Sequence, residues 1–144
     1  MERKDWTLLA IASAGGEPIQ PVQLQKALFL LGRERAVHVP GFYEFEKHNW
    51  GPFSKAIFED AEKLEAEGLV VIVRLPWRSM KEYLPTEAGK RMAESFMKEV
   101  PGDSGSYLMR AVQWVRSLSF SELLTQIYKR YPEFRTNSLF REPA

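Results

Sequence analysis

The stretch from Asn49 to Gly89 constrains the fold most, because it sets a helix, an apolar strand, a basic turn, a second strand and a capped helix in unbroken order. Pro52 suits the first position of that helix, where its missing N–H is one of the orphan donors in any case. Ser54 is the alternative start, as an N-cap. Phe53, Ile57, Ala61 and Leu64 then recur at a helical period, with Lys55, Glu59, Glu62 and Lys63 on the opposite side. Gly68 ends the helix. The run Leu69 to Val73 is rich in β-branched residues and too short for a helix, so it reads as a strand. Leu75 to Met80 turns it back into Glu82-Tyr83-Leu84, and Thr86 caps the next helix.

Upstream, Asp5 to Ala14 reads as a first helix closed by Gly15-Gly16, and Glu17 to Gln20 as a short extended segment. Pro21 to Leu31 reads as a second helix with a Leu24, Ala27, Leu28, Leu31 stripe. Phe29 and Leu30 lie off that stripe, so this helix must be covered on more than one side. Helix, helix, helix, hairpin, helix is the layout of a winged helix-turn-helix. The expected class is therefore mainly α (α+β), with residues 1–100 as the winged core. Pro101 to Ser106 reads as a linker, and residues 101–144 supply C-terminal helices that pack back within a single domain. Their stripes are Leu108, Ala111, Val112, Val115 and then Phe120, Leu123, Leu124, Ile127, with Ser119 and Glu122 as a capping box and Pro132 as the stop. We expect these two helices to form a hairpin. From Arg135 to Ala144 no period survives, which predicts a loosely ordered tail.

Length allows one domain with a real core. There is no Cys, which removes disulfides, thiolate nucleophiles and Cys-based metal sites. No apolar run is long enough for a membrane span and the N-terminus is not a signal peptide, so the chain reads as cytoplasmic with no membrane partner. Nothing points specifically to catalysis. Glu59 and Glu62 are spaced as a pair, but with Lys63 they read as a solvated helix face rather than the unequal environments that acid–base work needs. His38 and His48 lie across the Pro40-Gly41 turn without evident carboxylate partners for a metal, and the Gly pairs lack the context of a phosphate loop. The expectation is no enzyme, no cofactor and no metal.

Net charge is +1, so its distribution decides between partners. Phe53 to Val73 carries two basic residues against five acidic ones, whereas Arg74 to Val100 carries six against four. A helix so acidic is poorly made for a phosphate-walled groove. If duplex DNA is the partner, Arg74, Arg78 and Lys81 on the wing would hold the backbone and Lys55 would be the groove-facing cation. The bland alternative for these cations is a solvated loop.

Phe42, Tyr43, Phe45 and Trp50 are more aromatics than a connector between helices requires. They read either as a cap on the core or as a protein contact patch. Trp77 at the wing tip either meets a partner or packs on the last helices. In the contact reading, Phe42, Tyr43, Trp50 and Trp77 give apolar contact while Glu59 and Glu62 attract a basic partner. A homodimer through Phe29 and Leu30, or through Phe42 and Tyr43, is a further expectation.

Leu24-Gln25-Lys26-Ala27-Leu28-Phe29-Leu30-Leu31, Trp50-Gly51-Pro52-Phe53-Ser54, Gly68-Leu69-Val70 and Tyr83-Leu84-Pro85-Thr86-Glu87-Ala88-Gly89 together resemble the Panacea or SocA-like group of small bacterial proteins, over about Pro21 to Gly89. The resemblance implies an antitoxin-like module that holds a partner toxin. Beyond Gly89 the chain departs from it, and no catalytic residue follows from it. A non-enzymatic protein-binding module, antitoxin-like or adaptor-like, is thus the leading expectation, with a DNA-binding transcriptional regulator as the alternative.

Overall fold

The computed structural model describes residues 1–35, 39–76 and 80–141 and is mainly helical, with two small antiparallel hairpins. In order come, among the described residues, α1 (Arg3–Ala12), α2 (Pro21–Glu34), β1 (Glu46–His48), β2 (Gly51–Phe53), α3 (Lys55–Ala66), β3 (Val70–Leu75), β4 (Met80–Pro85), α4 (Glu87–Glu99), α5 (Ser104–Ser117), α6 (Phe120–Arg130) and a 3-10 turn (Pro132–Arg135).

α1 starts two residues before Asp5, because the Asp5 carboxylate reaches back to accept the Glu2 backbone N–H at 2.7 Å and closes the first turn. From Asp5 to Ile11 every residue is buried. The same holds for Leu24 to Leu31 of α2, polar residues included. These two helices are the centre of the molecule: α1 packs on α2, α3, α4 and α5, and α2 carries α5 along its far side. Phe29 is enclosed by Phe45, Tyr131 and Phe134 at ring distances of 5.3, 4.9 and 5.1 Å. The off-stripe apolar residues are therefore covered by the chain's own C-terminal part, which withdraws Phe29 and Leu30 from a dimer interface.

β3 and β4 pair from Val70↔Pro85 to Leu75↔Met80. The extended segment before α2 joins them, since Ile19 and Tyr83 exchange both backbone hydrogen bonds at 3.1 and 2.9 Å. Thr86 caps α4 by accepting the Gly89 N–H at 3.0 Å, as its position predicts.

Four expectations need correction. Pro52 does not open α3 but sits in β2 opposite Lys47, in a hairpin closed by the two residues Asn49 and Trp50 with Gly51 at φ +90°. Ser54 takes the N-cap place, though its hydroxyl does not cap. Its backbone is instead gripped by Gln25, which donates to the Ser54 carbonyl and accepts its N–H, both at 2.8 Å. The linker is shorter than expected, because Ser104 and Gly105 already belong to α5. Nor do α5 and α6 make a simple hairpin. α5 lies on α2, α6 on β2 and the 3-10 turn, and the two meet where Arg130 stands 4.8 Å over the Trp114 ring. Finally, the tail is tied down over its described part, to Arg141, the last three residues lying outside the described ones: Leu139 donates its N–H to the Asn49 carbonyl at 2.8 Å, and Phe134 just before it is buried. An aperiodic segment can be ordered by single backbone bonds and one anchor ring, which periodicity does not register.

Candidate functional site

Lys26 stands in the middle of the buried run of α2 and is only 2% exposed. Its ammonium donates to the Pro52 carbonyl at 3.2 Å. No carboxylate lies within 4.0 Å of it among the described residues. Burial alone pulls its pKa down to about 7, because the charged form has lost its water without gaining a counter-ion. The glycine of the β1–β2 hairpin lets the backbone pass closely over this amine, and a β-carbon on Gly51 would stand 3.4 Å from Lys26 Cε and 3.5 Å from the Tyr128 ring.

Above the lysine is a cleft of about 220 Å³ walled by Val22, Gln25, His48, Trp50, Phe53 and Phe58. His48 stacks on Phe53 at 4.5 Å, and Phe53 meets Phe58 edge-on at 5.5 Å. Pro21, Val22 and Phe58 form a shared wall with a second, wider depression of about 480 Å³ that continues to Met80, Lys81, Tyr83 and Phe120. Trp50 (42% exposed) and Phe120 (45% exposed) stand at the rim with ring centroids 5.6 Å apart. The result is a grooved apolar face of two adjoining depressions along α2, α3 and the β3–β4 hairpin, with a buried amine in one and Lys81 in the other.

Of the residues singled out from sequence, Trp50 and Lys81 line this groove. Glu59 and Glu62 are exposed on α3, as is Lys55 at its start. Lys63 pairs with Asp60 at 3.7 Å rather than with Glu59. Arg74 is engaged by Glu65, donating at 3.0 and 3.3 Å, so the hairpin's described arginine is already occupied. Trp77, Arg78 and His38 lie outside the described residues. Phe42 is half-buried against Trp6 and Tyr43. The sequence offers none of Lys26, His48, Phe53, Phe58 and Phe120 as a contact residue: Phe53 and Phe120 read as members of helical stripes and His48 only as a metal-ligand candidate without partners. The one signal for Lys26 is a cation inside the Leu24 to Leu31 run, whose other residues are apolar except Gln25.

Tyr43 is turned inward. Its hydroxyl is buried, donating to Asp60 Oδ2 at 2.6 Å and lying 2.7 Å from the Thr7 hydroxyl, while Arg3 Nε donates to the same carboxylate at 3.0 Å. Burial and the Asp60 bond push the Tyr43 phenol far above its ordinary pKa, so it remains the donor and Thr7 the donor to it. Asp60 is 2% exposed and joins α3 to α1 through this network. Asp60→Ala should destabilise the protein by about 2–3 kcal/mol, because it strands a buried hydroxyl and a partly buried guanidinium. Asp60→Asn should lose less. Denaturant midpoints check this, and a loss below about 0.5 kcal/mol, the range of ordinary surface changes, would contradict the network.

Among the described residues no helix is long and apolar enough to cross a membrane, and no three His, Asp or Glu side chains are grouped to hold a metal ion. Searches against protein-family models, curated proteins and solved structures find no significant match to this chain.

Proposed function

We propose that this chain is a non-enzymatic, winged-helix-type protein-binding module, antitoxin-like or adaptor-like, that seats a partner on the grooved apolar face flanking the Trp50–Phe120 ring pair. The order of three helices, a hairpin and a capped helix, with Ile19 pairing beside the hairpin, supports the winged reading. The observation that carries the function is the groove itself. Two large aromatics are held nearly half-exposed where two apolar depressions adjoin, which is the composition of interface hot spots and not of a surface meant only for water. The resemblance to antitoxin-type chains over Pro21 to Gly89 leans the same way.

Duplex DNA is the weaker reading. The exposed side of α3 presents Glu59 and Glu62, and Arg74 pairs with Glu65, so that of the four proposed DNA-contact cations Lys55 and Lys81 are the exposed and unpaired ones among the described residues.

Affinity capture from the native host with the wild-type chain and with Trp50→Ala/Phe120→Ala tests the proposal. A partner recovered with the wild type and bound at least about thirtyfold more weakly by the double variant is the expected result, the scale of losing one hot spot of 2 kcal/mol. Equal recovery by both chains overturns the groove. Tight binding of random duplex at about 50 mM salt, lost in Lys55→Ala/Lys81→Ala, would replace the protein reading with the DNA one.

A further inference from the structure

We propose that the cleft over Lys26 is a receptor for a carboxylate carried on an apolar body, with the Lys26 ammonium as the anion-binding group and the aromatic walls taking the body. The inference goes beyond the partner reading, since a free acid of this kind would bind whether or not a protein covers the outer groove.

The first ground is the state of the amine. Lys26 is buried, yet it has one hydrogen bond, to a backbone carbonyl, and no counter-ion within salt-bridge distance among the described residues. An ammonium has three donors. Two therefore await an acceptor in a place where an unmatched charge is costly. A carboxylate is the ligand that answers both needs, supplying two acceptor oxygens and the missing negative charge.

The second ground is space. The cleft of about 220 Å³ is larger than the roughly 150 Å³ cavity that suffices for benzene. Gly51, with no side chain, keeps the roof over the amine thin. The third is the character of the walls. Trp50, Phe53, Phe58 and Val22 offer apolar surface, Gln25 is already committed to the Ser54 backbone, and among the described residues no Asp or Glu lines the cleft to compete for the lysine. The other titratable groups facing the amine are His48 on β1 and Tyr128 on α6. From β2 and α3 the facing residues are Pro52, Phe53 and Phe58, which do not titrate.

The same chemistry can come from a free arylalkanoic acid or from the terminal carboxylate of a polypeptide, and the probes separate these sources. 4-Phenylbutanoate and 4-phenylbutanamide form one pair; a tetrapeptide ending in Phe, as free acid and as C-terminal amide, forms the other. Binding is followed by the NMR shifts of the Trp50 indole and the Lys26 side chain in the full chain. At pH 6 the acid of at least one pair should bind tenfold or more tightly than its amide, the usual advantage of a charge-assisted contact. That preference should vanish in Lys26→Met and survive in His48→Gln. It should also weaken by up to tenfold per pH unit above about 7, where binding must first protonate the amine. Tighter binding of the peptide acid assigns the site to a polypeptide end, and tighter binding of phenylbutanoate to a small acid. Equal affinity of acid and amide in the wild type, a preference that persists in Lys26→Met, or one abolished by His48→Gln overturns the proposal. The wild-type comparison stands even if a variant folds poorly. Partner capture by the Trp50 and Phe120 variants is read separately, so the two readings can fail independently.

Discussion

Gly89→Ala should be among the most damaging single-methyl changes in this protein, lowering stability by about 3 kcal/mol or more. A β-carbon at Gly89 would lie 1.9 Å from the Leu69 carbonyl oxygen and 3.0 Å from its carbon. That is a collision with backbone and not with a side chain that can swing away. Relief by sliding α4 is blocked, because its first turn is clamped to the same place by three bonds. Thr86 N–H donates to the Leu69 carbonyl at 3.1 Å, the Thr86 hydroxyl donates to the Gly68 carbonyl at 2.7 Å, and Gly89 N–H donates back to that hydroxyl at 3.0 Å. Moving the helix far enough breaks them together. In thermal unfolding the loss should appear as a fall in Tm of roughly 10 °C, at 2–4 °C per kcal/mol for a chain of this size. Gly16→Ala is the control: its added carbon meets nothing within 4 Å, so only the positive φ of +87° opposes it. If Gly89→Ala unfolds within 1 kcal/mol of the wild type, the α4 and β3 elements are not joined as described.

That glycine also shows what was legible in the chain. Thr86 to Gly89 reads as a cap because capping is local to four residues, and β3 reads as a strand because a β-branched run too short for a helix sits between turn signals. Strands of three residues carry no period, so β1 and β2 were invisible and Pro52 was assigned to the wrong element. The contact patch divided for a different reason. Trp50 and Tyr43 are similar in sequence context, yet one stands at a groove rim and the other is drawn inward by Asp60, 17 residues away, and by Thr7, 36 away. Composition ranks both as contact residues; only the meeting of α1 with α3 separates them. Lys26 was hidden by the ordinary rule that a cation on a helix marks its wet face. Here β2 and α6 arrive from later in the chain and cover that face.

Lys26→Met should make the isolated protein more stable near neutral pH, by about 2–4 kcal/mol less the roughly 1 kcal/mol of the lost bond to the Pro52 carbonyl. The gain should depend on pH in a defined sense. Unfolded, the amine has its ordinary pKa of 10.5; folded, burial holds it at about 7. Below pH 7 both states carry the proton and the penalty of burying the charge is fully present. Between about 7 and 10.5 the unfolded state binds more protons, so wild-type stability rises with pH, by up to about 1.4 kcal/mol per unit. Above that window the amine is neutral in both states and the penalty is gone. The methionine variant has no such slope. Its advantage over the wild type should therefore be largest at pH 6–7 and should shrink toward zero or reverse by pH 10, when only the lost hydrogen bond remains. Tyrosines that titrate high, such as Tyr83 with burial pushing it up to about 12, contribute alike to both proteins and cancel in the difference. Urea midpoints at pH 6, 8 and 10 decide the matter, and a variant less stable than wild type at pH 7, or a difference independent of pH, would contradict a buried and unpaired amine. Saturating 4-phenylbutanoate or the Phe-ending tetrapeptide acid, whichever binds more tightly, should flatten the wild-type slope, because a carboxylate beside the ammonium raises its folded pKa back toward the unfolded value. A chain that keeps a destabilising cation at the base of an aromatic cleft gains from it only when something negative enters, and the flattened slope is the thermodynamic mark of that entry.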